Sequence, residues 1–364
     1  MRNWIICFAL CLLIFPRAVK CEEHLSRGLF ITVIEEPLVL ASREEIGKLI
    51  DFANKSRVNI LFVQVYRENQ AWFPSKIADS TPYQSCRENV SEDPLELLIK
   101  LAHASGIQVH AWFNTLSLGI NKDAVFLKKY GASILTRNLK DKNSIEDYKI
   151  DSQYFLEPGD LRIREELRGI VGELLRAYPK LDGIQFDYIR YPDRNPAYGY
   201  TEMNTELFKQ AFGLKAIDED SKAWKNWKRA QVTEALECLV KEARGIRPGI
   251  QVSVTGCMPY TRAYHEAFQD WPSWLETKLV DFVTIMDYSP DPPEFKNWVG
   301  DIKGRVQDFK KINIAIGAYK LINSPLVFKQ ELSFGESSGA GACVISYYSS
   351  LLKNPELAGS LVSP

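Results

Sequence analysis

LDGIQFDYIRYP, residues Leu181–Pro192, is the stretch on which the fold reading turns. A turn-forming Asp182-Gly183 pair leads into a short apolar run that stops at Asp187, before a Tyr-Ile-Arg-Tyr-Pro exit. An apolar run this short, bounded by turn residues, reads as a strand buried on both faces. A carboxylate at the C-terminal lip of a parallel strand is where a (β/α)8 barrel keeps its chemistry.

Working outward, seven more apolar runs share this character. With the run at 182–189 they fall at 29–34, 58–66, 107–113, 250–257, 282–288, 312–318 and 342–347. Amphipathic helical patterns separate them. Ser42-Arg-Glu-Glu45 is a capping box ahead of an Ile46, Leu49, Ile50, Ala53 stripe, and Asp93-Pro94 supplies an N-cap and a proline at N1. Residues 160–178 and 221–246 read as longer helices with Pro179 and Pro248 beyond their ends, and 295–309 and 326–334 as weaker ones. Strand and helix alternate eight times, and no Gly-rich fingerprint follows the first strand. The pattern therefore predicts an α/β fold of the (β/α)8 barrel type rather than a doubly wound sheet. The polar segments 136–157 and 193–220 read as enlarged loops after strands three and four, on the face where such a barrel varies its function.

The N-terminus stands apart. Met1-Arg2 precedes an apolar run at 4–15 and then Pro16-Arg17, a pattern that reads as a signal peptide over 1–21 and a secreted or periplasmic destination. An uncleaved anchor is the alternative. Cys21 raises lipid attachment, although Lys20 stands where a small residue is expected. The segment 22–364 reads as one barrel domain. Of its residues enough are apolar to build a large core, the chain being 46% hydrophobic and 25% charged. A net charge of −1 offers no footprint for nucleic acid or an anionic membrane. Cys86, Cys238, Cys257 and Cys343 are scattered without CxxC spacing or histidine pairs, so buried free thiols are expected before a disulfide or a metal site. Nothing in the sequence asks for a cofactor or a protein partner, and a monomer is the expectation.

The strand exits supply the candidate site. Strand two ends in Tyr66, Arg67 and Glu68, and strand three in His110, Trp112 and Asn114. Strand four offers Asp187, Arg190 and Tyr191; strand five Thr255 and Met258; strand six Asp287 and Tyr288. Strands seven and eight add Tyr319, Ser346, Tyr347 and Tyr348, and Glu157 is a reserve carboxylate in the loop after strand three. Aromatic rings stack on the apolar faces of sugars while carboxylates and amides bond their hydroxyls, so this mouth suits a polysaccharide better than a phosphate or a flat cofactor. Glycosidases pair two carboxyls about 5–9.5 Å apart. Asp187 and Asp287, on exits close together around an eight-stranded ring, form the expected pair, with Asp187 as nucleophile or stabiliser. Asp287, between Met286 and Tyr288, has the more apolar setting that favours an acid. His110, Trp112, Asn114, Arg67, Glu68, Glu157, Arg190, Tyr191 and Tyr288 are expected to hold the sugar. The tryptophans at 224, 227, 271, 274 and 298 lie on helical stretches and are expected to pack.

These motifs resemble the bacterial glycoside-hydrolase-like family 10 group over nearly the whole segment. The resemblance is carried by Arg27-Gly28, by VNILFVQV at 58–65 with AWFPS at 71–75, and by Asp93-Pro94-Leu95. It continues in Ala102-His103, VHAWFN at 109–114, Glu157-Pro158-Gly159 with Arg164-Glu165, and DGIQFD at 182–187. The resemblance implies a secreted barrel acting on cell-envelope glycan, including peptidoglycan strands stripped of peptides. The chain departs from the family at Tyr66, Gln70, Glu157 and Tyr188, where the family has Arg, Asp, Asp and a second Asp, and in the sixth-strand motif. The arrangement also resembles the α-galactosidase superfamily, which implies a nucleophile after strand four and an acid after strand six. A glycan-binding barrel without turnover is the alternative that the departures motivate, and a transglycosylase differs only in the acceptor.

Overall fold

The computed structural model describes residues 26–362, so the expected signal segment lies outside the described residues. Eight parallel strands form the barrel: β1 (Ser26–Ile31), β2 (Ile60–Arg67), β3 (Gln108–Asn114), β4 (Gly183–Asp187), β5 (Gln251–Gly256), β6 (Phe282–Asp287), β7 (Ile312–Ile316) and β8 (Ala342–Ile345). Each pairs with its sequence neighbours, and β1 pairs with both β2 and β8, which closes the ring. All eight lie where the apolar runs predict them.

The helices start where short polar side chains can take up free N–H groups. Ser42 accepts from the Glu45 amide at 3.3 Å, opening the helix Arg43–Lys55, and Asp93 accepts from Glu96 at 2.9 Å ahead of Pro94–Ala104. The long helices run Leu161–Ala177 and Lys222–Ile246. The helix expected at 295–309 instead spans Pro292–Lys303, starting on a proline pair and ending at Gly304. The polar loop after β4 also contains a helix, Glu202–Phe212, capped by Thr201 and stopped by Gly213 at φ 64°. Its Phe208 packs with Tyr200 and Trp224 in a small satellite core.

Alternation along the strands divides two cores. One face of each strand joins a large shell against the helices. The other faces the barrel interior, where Phe30, Phe62, Trp112, Ala315, Ala342 and Val344 fill the centre. Space there is tight. A Cβ on Gly28 would come within 2.9 Å of Val344, and one on Gly183 within 2.2 Å of the His110 ring. Towards the C-terminal ends the filling turns polar: Thr32 donates to Gln64 at 3.1 Å and Gln64 to Asn114 at 3.2 Å. Gln185 donates to Thr284 at 2.9 Å. Cys86, Cys238, Cys257 and Cys343 are free thiols. No described helix is long and apolar enough to cross a membrane.

Candidate active site

The polar end of the barrel opens into a cavity of about 400 Å³. Asp187 lies in its wall, level with Asn114 of β3 and only 4% exposed. Three donors fix its carboxylate: Trp112 Nε1 to Oδ2 at 3.0 Å, Thr255 Oγ1 to Oδ1 at 2.5 Å, and the Tyr188 amide to Oδ1 at 2.7 Å. Tyr188 has φ 53°, a left-handed turn that breaks the strand's alternation directly after the aspartate. Asp187, Tyr188 and Arg190 consequently all reach the same cavity.

Aromatic rings line the side of β8 and β7. Trp112 stacks on Tyr347 with centroids 5.9 Å apart and planes 9° off parallel, Tyr347 on Tyr319 at 5.5 Å, and Tyr319 meets Tyr288 edge-on. Tyr288 shares a 3.0 Å hydrogen bond with Ser346, and burial pushes its phenol well above the ordinary range. Trp298, expected to pack inside, also faces the cavity from the helix Pro292–Lys303, whereas Trp224, Trp271 and Trp274 are core. Such a wall presents flat apolar surface with polar tips, the surface that a sugar ring covers.

The cavity brings together Arg67, Trp112, Asn114, Asp187, Arg190 and Tyr288 of the expected residues. Five others lie elsewhere. Asp287 is the main correction. On β6 the residues Phe282, Thr284 and Met286 point into the barrel, so Asp287 points out, towards the helices. It is fully buried, and neither carboxylate oxygen has a partner at hydrogen-bond geometry. Burial pushes its carboxyl up to about 8, with the nearby Ser289 amide opposing and Glu331 and Glu294 adding to the rise.

His110 lies deeper in the barrel, fully buried between Phe62 and Phe282, and burial lowers its imidazole to about 4. It is packing rather than lining. Glu157 and Tyr191 hydrogen-bond each other behind the cavity, where Tyr191 also meets Asn204 at 3.5 Å. They tie the loop after β3 to the loop after β4, and burial raises both groups. Glu68 turns aside at φ 55° to pair with Arg67 at 2.7 Å and is not part of the wall.

Two lining carboxylates escaped the sequence reading. Asp193, after β4, faces Arg190 at 3.3 Å and Arg262 at 3.6 Å and accepts from the Cys257 thiol at 3.2 Å. Burial opposes its ionisation, but Arg190, the thiol and Arg262 together hold it below the usual carboxylate range. Glu35, in the loop after β1, accepts from Ser349 at 2.8 Å and pairs with Lys353 at 3.1 Å. Asp193 directly follows the quoted stretch and carried a signal in its spacing from Arg190. Glu35 and Arg262 carried none, because only the closed ring brings them to Asp187. Among the described residues no group of three or more His, Cys, Asp or Glu is placed to hold a metal ion.

A closed (β/α)8 barrel with a fixed carboxylate after β4 and an aromatic wall defines the cavity. The chain belongs to the glycosyl hydrolase-like 10 family, whose profile matches residues 26–331. It is 26% identical over 259 residues to glycosyl hydrolase DigH of Escherichia coli (strain K12), covering 66% of this chain and 57% of that protein. The chain thus spans little more than half the length of that relative. The barrel is similar to the catalytic domain of β-amylase from Paenibacillus polymyxa (TM-score 0.58, 12% identity, covering 94% of this chain and 99% of that one). It is also similar to the α-galactosidase from Lactobacillus brevis (TM-score 0.52, 10% identity, covering 93% and 40%). At these identities the likeness to both structures is one of fold.

Proposed function

We propose that the protein is a glycoside hydrolase in which Asp187 is the principal carboxylate, acting as nucleophile or as stabiliser of an oxocarbenium-like transition state. The observation that carries the reading is the fixing of Asp187 by Trp112, Thr255 and the Tyr188 amide on the wall of a cavity with an aromatic face. Preorganised donors around a reacting carboxylate need no rearrangement as charge develops. Glu35 is the proposed second carboxyl. It faces the same cavity from β1, across the mouth from β4, and is paired with one lysine, Lys353, whereas Asp193 stands between two arginines.

Cell-envelope glycan, in particular peptidoglycan strands without peptides, is the proposed substrate, supported by the family resemblance. A secreted or periplasmic location is proposed from the N-terminal sequence, and fractionation of cells expressing the full chain tests it. Product release from peptide-free glycan by wild type, Asp187→Asn and Glu35→Gln tests the chemistry. Cleavage by wild type with loss in both variants is the expected result. Retained turnover in Glu35→Gln removes that residue from the mechanism. One observation favours a binding barrel instead: Asp187 is the one lining carboxylate without a cationic partner among the described residues, which leaves no obvious acid. Glycan binding by wild type with no product would establish that reading.

A further inference from the structure

We propose that Arg194 and Arg262, backed by the buried Arg190, form a subsite that takes the carboxylate of an acidic sugar bound beside Asp187. The proposal rests on the glycan reading above and names the chemical class of the sugar.

The β4–β5 side of the cavity carries three guanidinium groups, of Arg190, Arg194 and Arg262, and two carboxylates, of Asp187 and Asp193, which leaves one positive charge in excess. Asp193 lies 3.3 Å from Arg190 and 3.6 Å from Arg262, longer than the 2.7–2.9 Å of a charge-assisted hydrogen bond. Together with Asp187 it leaves one of the three charges unbalanced, and it accepts a hydrogen bond from neither arginine, its Oδ2 accepting from the Cys257 thiol instead. Arg194 is exposed and has no ion-pair partner among the described residues. Elsewhere on the mouth the cations are engaged: Arg67 by Glu68, Lys353 by Glu35, and Lys320 by the Tyr288 carbonyl at 2.9 Å.

Arg190 is 6% exposed, lies over the Tyr188 ring at 4.6 Å and donates from Nη1 to the Tyr191 carbonyl at 3.3 Å, while its Nε has no partner. The Nε of Arg262 is likewise buried and unpartnered, its Nη2 donating to the Met258 carbonyl. Buried guanidinium donors without acceptors are costly. Sugar hydroxyls would satisfy a donor but leave the charge excess in place. A planar carboxylate matches the guanidinium fork and answers the charge. Two kinds of sugar present one: a uronic acid ring, and an amino sugar bearing a lactyl ether freed of its peptide.

The test uses the full chain, as wild type and with Asp187→Asn so that ligands stay intact, and measures binding by calorimetry. The probes are a peptide-free muramic-acid-containing tetrasaccharide and a trigalacturonate, each paired with its carboxyl-reduced counterpart. In one pair the acidic form should bind about 10–100-fold more tightly than the reduced form, and that pair identifies the source of the carboxylate. Arg194→Gln with Arg262→Gln should bring the acidic form down to the affinity of the reduced one without changing the latter. Arg194→Gln alone, on an exposed position, should give part of that loss even where the double variant fails to fold. Equal affinity within both pairs overturns the anion subsite and leaves the glycan reading standing. A preference that survives the arginine substitutions overturns it as well. Absence of binding by all four probes removes the subsite and the glycan reading together.

Discussion

Asp187 and Asp287 occupy the same place in two strands and do opposite things. Each ends an apolar strand and precedes a tyrosine, in Phe186-Asp187-Tyr188 and Met286-Asp287-Tyr288. Each is almost wholly buried. Asp187 faces inward, into the cavity, with three hydrogen-bond donors on its carboxylate. Asp287 faces outward, with no hydrogen-bonded partner, and burial raises it to about 8. The difference comes from parity along the strand and not from the local motif. A carboxylate whose own strand turns it towards the helices is desolvated and its pKa pushed up, whatever its neighbours in sequence.

The sharpest way to break this contrast is to make both aspartates asparagine. Asp187→Asn should lower turnover by about 10²–10⁴-fold while the melting temperature holds, measured by product release and calorimetry. Asp287→Asn should leave turnover close to wild type. Comparable losses in both would return Asp287 to the mechanism and overturn the parity argument. A smaller effect sharpens the role of the inner shell. Thr255→Val removes the 2.5 Å donor to Asp187 and keeps its shape. A hydrogen bond to a charged group contributes about 1.5–3 kcal/mol, so turnover should fall roughly 10–150-fold. An unchanged rate would mean that Trp112 and the Tyr188 amide hold the carboxylate without it.

The barrel itself was legible because strands buried on both faces must be written as short apolar runs, and all eight are found where those runs lie. The face that carries the cavity was legible too, since parallel strands present their C-terminal ends on one side. The residues that line it were legible only where alternation runs undisturbed, as along Trp112 and Asn114. Two backbone irregularities defeated the rest. The bulge between Gln64 and Tyr66 turns Tyr66 outward, where it stacks on Phe113 at 4.2 Å, and brings Arg67 in. The left-handed Tyr188 lets consecutive residues share one cavity. Glu157 looked like a site residue as a reserve carboxylate in the loop after strand three and Tyr191 as part of the exit of strand four, yet the two are buried and hydrogen-bonded to each other behind the cavity. No local signal marked Glu35 or Arg262, whose positions depend on ring closure.

The outer aspartate makes its own prediction through pH. Glu331, on the helix Pro325–Ser337, is 1% exposed, lacks hydrogen-bond partners and is also pushed up to about 8 by burial. Ordinary carboxyls in an unfolded chain titrate near 4. Between about pH 4 and pH 8 the folded protein therefore holds protons on Asp287 and Glu331 that the unfolded chain has released. These two carboxyls lower stability as pH rises through that window, and they outweigh the single buried His110, whose imidazole, lowered to about 4, acts in the opposite direction below about pH 6.5. Denaturant unfolding at pH 5, 6.5 and 8 should show this decline, on the order of a few kcal/mol across the series. Asp287→Asn abolishes one of the two titrations and places a neutral group where a charge is disfavoured. Its pH dependence should be visibly shallower than that of wild type, and at pH 8 it should be more stable by about 1–2 kcal/mol. A variant that follows the wild-type slope at every pH would mean that Asp287 is ionised in the fold, and the outward-facing pocket around it would then have to contain a cation or water that satisfies it.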